Sequence, residues 1–285
     1  MPANPTEIGW EVDGLWYAGL AWGNPHHPPL LALHGWLDNA ASFARLAPLL
    51  DDFHVVAVDL SGHGRSSWRS RDATYQIYDD LPQLLSILDQ LGWQHCHLMG
   101  HSRGAIIATL FAACFPERIA RLVLLDGLSP EATGEEAFVT QLRQFVEQRE
   151  RYLGRQPTVY PSAERAMAVR TANGLPLKAA ELMLPRSLRA EGAGVCWTSD
   201  PRLRGASAVK LSVGQIEAML RAVTAPTLVL VAETGLVPLM SSRFAELVAQ
   251  MAAARMESQA GGHHFHLEDG VARIAGTIQT FLQTN

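Results

Sequence analysis

A serine between two glycines lies where the sequence pattern changes from strand to helix. Residues 98–105 read L-M-G-H-S-R-G-A and contain the pattern G-x-S-x-G, with Ser102 at its centre. The run 95–99 before it is typical of a short strand, and the apolar run 105–115 after it is typical of a helix. A sharp strand-to-helix turn strains the backbone of a nucleophile and requires small flanking residues. The pattern therefore predicts Ser102 as a nucleophile.

A serine hydroxyl needs a base that removes its proton, and histidines cluster near the C-terminus. Residues 259–269 read Q-A-G-G-H-H-F-H-L-E-D. His263 follows two glycines, after the last expected strand and before the final helix, so we expect it to reach Ser102 as the base. His264 and His266 are the competing candidates. Because H-H-x-H is not a recognised metal-ligand spacing, we expect neither a metal nor an organic cofactor.

Acyl transfer also needs N–H donors that stabilise the oxyanion of the tetrahedral intermediate. The first expected donor is the main-chain N–H of Arg103, directly after the nucleophile. The second is the N–H of Trp36 in the segment 33–39, L-H-G-W-L-D-N, although the Trp36 ring could serve only for packing. The Arg103 side chain could bind an anionic substrate or an acidic lid residue. We favour an arginine whose stem packs while its head reaches solvent.

Alternating strand and helix patterns must position these residues. Five short runs, apolar on both faces, are predicted strands: 30–34, 54–60, 95–99, 122–126 and 227–231. Helical patterns lie between them, as expected for a parallel sheet covered by helices. The runs around 7–12 and 15–22 could form an antiparallel hairpin at the sheet edge. We therefore expect a doubly wound α/β fold with a mostly parallel sheet.

The segment 129–222 interrupts this alternation because it contains no convincing core strand. Apolar residues recur at helical spacing within 138–153, and residues 177–184 predict another helix. We expect a helical lid here, inserted between two late strands, with residues 1–128 and 223–285 as the core. The alternative is a second structural subdomain.

Four motifs occur in the order found in the α/β-hydrolase fold family: H-G-W at 34–36, D-L-S-G-H-G-R-S-S at 59–67, G-H-S-R-G at 100–104 and G-G-H-H-F-H-L-E at 261–268. The chain resembles this family over nearly its whole length, and its segment H-G-W-L-D-N-A-A-S-F resembles the serine hydrolase-like proteins in particular. The resemblance implies a Ser–His–acid site with Ser102 and His263. Because epoxide hydrolases and haloalkane dehalogenases of this fold carry aspartate in place of the serine, it also implies acyl chemistry.

The position of the acid departs from the family pattern. Many members carry it in a G-x-x-D pattern after the lid, and the matching residues here, 232–235, are A-E-T-G, with Gly235 in the acid's place. We expect Asp126, after the strand that follows the nucleophile helix, to accept the Nδ1 proton of His263 instead, as in some members of this fold. The alternatives are Glu233 or a Ser–His pair without an acid.

Composition limits the partners of this 285-residue chain. Its net charge of -5 argues against nucleic acid as the main partner. No apolar run approaches the length of a membrane span, and the N-terminus lacks the pattern of a signal peptide, so we expect a cytoplasmic protein. A monomer or a homodimer is the expected assembly. The expected partner is a small-molecule acyl ester.

These features together predict a serine hydrolase that cleaves a carboxylic ester through an acyl-enzyme. A lid rich in Leu, Phe, Val and Met indicates an apolar pocket for a small or medium acyl chain. An acyltransferase, a thioesterase or a carbon–carbon bond hydrolase would use the same residues. A non-catalytic ligand-binding protein on the same fold is the alternative that Gly235 favours.

Overall fold

The computed structural model of the chain describes residues 4–172, 174–237 and 243–284. The strands are β1 (Thr6–Val12), β2 (Leu15–Trp22), β3 (Pro29–Leu33), β4 (His54–Val58), β5 (Cys96–His101), β6 (Ile119–Leu125), β7 (Val159–Tyr160), β8 (Leu188–Glu191), β9 (Gly194–Trp197), β10 (Thr227–Thr234) and β11 (Ala254–Gly262). The helices are α1 (Leu81–Gln90), α2 (Arg103–Cys114), α3 (Phe138–Leu153), α4 (Ala163–Ala172), α5 (Leu177–Ser187), α6 (Val213–Ala222), α7 (Phe244–Val248) and α8 (Val271–Gln283). Among the described residues, no helix is long and apolar enough to cross a membrane.

One sheet of eight strands organises the fold, in the order β1-β2-β4-β3-β5-β6-β10-β11. The hairpin β1–β2 is antiparallel and pairs antiparallel with β4. The remaining neighbours are all parallel. The predicted mostly parallel sheet and its edge hairpin are therefore confirmed, and parallel pairing brings the carboxyl ends of β3, β5, β6, β10 and β11 to one edge.

Both faces of the sheet are buried, because successive residues of each inner strand point to opposite sides. On one side, Leu31 and Leu33 of β3 join a cluster that includes residues of α1, α2 and α6. On the other, Leu30 and Ala32 join a cluster that includes residues of α8. The uninterrupted apolar runs in the sequence follow from this double burial.

The insertion lies between β6 and β10, which are neighbours in the sheet. It contains α3 to α6 and a second sheet, β7-β9-β8, whose strands of two to four residues were not predicted. Helix α3 forms where predicted, but no residue of it is buried, and Val139 is 73% exposed. Helix α6 packs Ile216 and Leu220 into the cluster that contains α2. A moving lid over 129–222 stays a prediction.

Candidate active site

Ser102 occupies a strained turn between β5 and α2. Its φ of 52° and ψ of -118° lie in a region that residues other than glycine rarely adopt. A Cβ at Gly100 would lie 2.4 Å from the Gly104 carbonyl oxygen, and one at Gly104 would lie 2.1 Å from that of Leu33. Only glycine fits either position, which explains the G-x-S-x-G pattern and leaves the serine half-buried at the sheet edge.

His263 meets Asp126 at the same edge. The Nδ1 atom of His263 lies 2.6 Å from Oδ2 of Asp126, which follows β6. The main-chain N–H groups of Ala232 and Leu236 donate to the two carboxylate oxygens at 3.1 and 2.9 Å. Glu233, the alternative acid, remains exposed on β10. The structure therefore brings together His263 and Asp126, the two residues expected to pair.

A steric constraint, which sequence reasoning missed, explains why position 235 is glycine. A Cβ at this position would lie 2.3 Å from Oδ2 of Asp126 and 2.7 Å from the Cβ of Ala232. The carboxylate of Asp126 thus fills the space beside the turn where many family members carry their acid. A side chain at 235 and the observed position of Asp126 exclude each other.

The protonation states of His263 and Asp126 suit a histidine that acts as a general base. Burial lowers the pKa of His263 below its ordinary value, although the hydrogen bond to Asp126 opposes this shift. Burial raises the pKa of Asp126, but the hydrogen bonds from His263 and from the Leu236 N–H more than offset it, so the carboxyl pKa is lowered. Near neutral pH His263 is therefore neutral, with its proton on Nδ1 facing Asp126 and a lone pair on Nε2.

No hydrogen bond joins Ser102 and His263 among the described residues, but both lie next to His101. The His263 ring lies 4.7 Å, centroid to centroid, from that of His101, which directly precedes Ser102. Asp126 and Ser102 both line the same cavity. In enzymes without substrate, the serine–histidine hydrogen bond is often long and tightens only in the complex.

The two expected oxyanion donors have free main-chain N–H groups. Neither the N–H of Trp36 nor that of Arg103 donates to another residue in the described part of the chain. The Trp36 indole donates to the Leu203 carbonyl at 2.9 Å, so the ring also contacts the insertion. Their role at an oxyanion stays a prediction.

The side chain of Arg103 corrects our preferred interpretation. Its guanidinium donates to the carbonyls of Tyr75 and Gln76 at 3.2 and 3.4 Å and lies 3.7 Å from a carboxylate oxygen of Asp80. The side chain is only 14% exposed, so the expected solvent-exposed head is wrong. The ion pair and the carbonyls compensate for burial of the charge, and the arginine anchors the segment before α1.

A cavity of about 430 Å³ opens beside Ser102. Its wall is largely apolar and comes from α2, α6, α7 and the loops after β6 and β10. The apolar lining includes Ile106, Leu128, Ile216, Leu236, Phe244 and Leu247. A hydrophobic segment next to a reacting carbonyl fits such a space.

The competing histidines do not contact Asp126. His264 Nε2 lies 3.1 Å from a carboxylate oxygen of Asp38, and His266 Nε2 lies 3.0 Å from the Ser42 hydroxyl. Sequence reasoning missed Asp38, which is 4% exposed. Its place within H-G-W-L-D-N is the signal that could have identified it.

Comparisons with known proteins show the family and the fold of the chain. The family profile described as the alpha/beta hydrolase fold matches residues 28–270. A serine hydrolase-like protein of Danio rerio is 30% identical over 277 residues, which are 93% of this chain and 84% of that protein. Epoxide hydrolase 4 of Mus musculus is 33% identical over 124 residues, which are 43% of this chain and 34% of that protein.

Two solved structures are similar over almost the entire chain. A hypothetical protein from Pseudomonas aeruginosa superimposes with a TM-score of 0.93 at 33% identity, over 98% of this chain and 99% of that one. The thioesterase domain from the curacin biosynthetic pathway gives a TM-score of 0.84 at 27% identity, over 98% of this chain and 100% of that one. With this sheet and its strand-to-helix serine turn, the chain belongs to the α/β-hydrolase fold family.

Proposed function

We propose that the protein is a serine hydrolase that cleaves carboxylic esters through an acyl-enzyme intermediate. The observation that carries the proposal is the 2.6 Å contact between His263 and Asp126, at the sheet edge where Ser102 occupies its strained turn. A nucleophile, a base and a group that orients the base are the parts that serine catalysis requires.

In the proposed mechanism, Ser102 Oγ attacks the acyl carbonyl while His263 Nε2 accepts its proton. Asp126 accepts the Nδ1–H hydrogen bond, fixes the tautomer and stabilises the imidazolium. The N–H groups of Trp36 and Arg103 stabilise the oxyanion. His263 then protonates the leaving alcohol, and a water molecule, deprotonated by the same histidine, releases the acid.

The cavity supports the substrate class. A largely apolar wall around about 430 Å³ favours a small or medium acyl chain over a charged metabolite. Arg243 also lines the cavity, but its guanidinium pairs with Glu217 at 3.1 Å. The charged group of Arg103 points away to Asp80 and the loop carbonyls, so it does not offer the cavity an anion site.

Other reactions of the same site remain alternatives. Similarity to a thioesterase domain favours a thioester as the second candidate substrate. An acyltransferase or a carbon–carbon bond hydrolase would also use these residues. The relative named as an epoxide hydrolase raises a further possibility, but a serine at position 102 favours acyl transfer over the aspartate chemistry typical of epoxide opening.

The test compares wild type with Ser102→Ala on p-nitrophenyl esters and acyl thioesters of increasing chain length. We expect wild type to hydrolyse the short and medium oxygen esters fastest, and Ser102→Ala to lose this activity while remaining folded. Faster thioester turnover would favour the thioesterase. Ligand binding without turnover by wild type would contradict the proposal and favour a binding protein.

A further inference from the structure

A second group of side chains lies next to the proposed catalytic residues. Asp38 follows β3, His101 ends β5, and His264 follows β11. Oδ2 of Asp38 lies 3.1 Å from His264 Nε2 and 3.7 Å from His101 Nδ1. These three atoms all lie within 4.8 Å of one another, and Asp38 and His101 are buried.

The orientation of the His101 ring is unusual. Its Nε2 lies 2.9 Å from the main-chain oxygen of His263, and because a carbonyl only accepts, Nε2 carries the proton. A neutral ring then presents the lone pair of Nδ1 towards the Asp38 carboxylate. This nitrogen is fully buried and has no hydrogen-bond partner among the described residues. A buried acceptor without a donor is costly, whereas Oδ2 of Asp38 already pairs with His264 Nε2 at 3.1 Å.

Gly35 packs beside both acceptor atoms, and all three residues are buried. A Cβ at this residue would lie 2.9 Å from His101 Nδ1 and 3.0 Å from Asp38 Oδ2. Any larger residue would therefore cover the two atoms. Arg170 lies 3.1 Å from Oδ1 of Asp38, whereas Oδ2 faces the two histidines, with His264 Nε2 at 3.1 Å and His101 Nδ1 at 3.7 Å.

We propose that Asp38 Oδ2, His101 Nδ1 and His264 Nε2 bind a divalent transition-metal ion of the zinc type. Two imidazole nitrogens and one carboxylate oxygen form a usual donor set for such ions. Tetrahedral coordination at about 2.0–2.2 Å spaces ligand atoms about 3.3–3.6 Å apart. The two separations from Asp38, 3.1 and 3.7 Å, are close to this spacing, and the two imidazole nitrogens, within 4.8 Å of each other, must approach on binding. His264 shifts its proton from Nε2 to Nδ1 on binding, whereas His101 already donates its other N–H to a carbonyl, as metal-bound histidines commonly do.

The proposed metal site borders the proposed catalytic residues. The His263 ring lies 4.7 Å from the His101 ring and 5.1 Å from the His264 ring, centroid to centroid.

Binding is tested with Co²⁺ and Zn²⁺ on the full chain after treatment with a chelator, by calorimetry and by the visible absorption of bound Co²⁺. We expect wild type to bind one ion per chain, and Asp38→Asn and His264→Gln to weaken binding by about 100-fold or more. His266→Gln is the matched control beside the three proposed ligands. The double variant His26→Gln with His27→Gln is the control for histidines outside the site. Both controls should keep the ion.

Wild type that binds no ion would overturn the proposal, whatever the folding of the variants. Unchanged affinity in both ligand variants, or loss of binding in the His26/His27 control, would overturn it as well. Thermal unfolding of each variant without metal shows which of them are folded.

Ester hydrolysis measured in chelator separates this proposal from the proposed function. Absence of hydrolysis there would count against the proposed function, whereas calorimetry alone decides the metal site.

Discussion

Two aspartate–histidine pairs lie at the same edge of the sheet, formed by the adjacent residues His263 and His264. The first histidine contacts Asp126 at 2.6 Å, and the second contacts Asp38 at 3.1 Å. Both aspartates are buried, at 3% and 4% exposure. The two pairs are thus close in composition and burial, yet of their four residues only Asp126 lines the cavity beside Ser102.

The remaining partners of each carboxylate explain the difference. Asp126 receives two neutral main-chain N–H groups, and His263 is its only ion-pair partner among the described residues. Asp38 shares its charge with the guanidinium of Arg170 from α4. A carboxylate with no arginine beside it can stabilise a transient imidazolium more strongly than one that shares its charge with a fixed cation.

The largest expected difference is in turnover. Asp126→Asn should lower kcat by about 10²–10⁴-fold, because the amide neither fixes the His263 tautomer nor stabilises its charge. Asp38→Asn should lower kcat far less, since Asp38 does not contact His263. Steady-state ester hydrolysis in the presence of chelator measures both variants. Equal losses of kcat in the two variants would contradict the expected catalytic difference between the two pairs.

A methyl group at position 235 should disturb only the first pair. Gly235→Ala places a Cβ 2.3 Å from Oδ2 of Asp126 and forces the carboxylate to move. A displacement of this size can lower kcat by about 100-fold. Gly270→Ala is the matched control, because its Cβ meets nothing within 4 Å and its φ of -74° suits alanine. Wild-type kcat in Gly235→Ala would contradict the steric explanation.

Loss of the Arg170 charge should affect the second pair by lowering the stability of the folded protein. Arg170→Gln removes a charged hydrogen bond to buried Asp38 and should lower the free energy of unfolding by about 1.5–3 kcal/mol. Urea denaturation measures this change. Arg143→Gln removes an exposed helical ion pair with Glu147 and should leave stability unchanged within error. Equal stability of the two variants would show that Arg170 does not support Asp38.

The smallest effect is expected in the pH profile. A protonated His263 cannot accept the serine proton, so kcat/KM should fall as the pH falls through the His263 pKa, below the ordinary value of 6.5. Both carboxylates raise this pKa, Asp126 more strongly than Asp38. The acid limb should therefore move to lower pH in both variants, and further in Asp126→Asn. Profiles recorded in chelator test this order, and a flat profile would count against histidine as the base.

Local patterns were sufficient to predict the sheet and the nucleophile turn. Strands buried on both faces leave uninterrupted apolar runs, and the tight turn at Ser102 requires glycines on both sides. The missing acid at Gly235 directed attention to Asp126, whose expected contact with His263 the structure contains.

Contacts between distant segments could not be predicted in this way. The Arg103 head pairs with Asp80, and the metal-ligand candidates come from three separate segments of the chain, so no spacing in the sequence indicates them. The strands β7 to β9 were missed because they are short and pair only with one another.

The rate at which a fluorophosphonate labels Ser102 tests the central claim most directly. Wild type and Glu233→Gln should be labelled on the peptide that contains Ser102 at equal rates. Asp126→Asn should react slower by about 100-fold or more, because the same base activates the serine in this reaction. Absence of label on Ser102 in wild type, or slow labelling of Glu233→Gln with normal labelling of Asp126→Asn, would contradict the assignment of Ser102, His263 and Asp126.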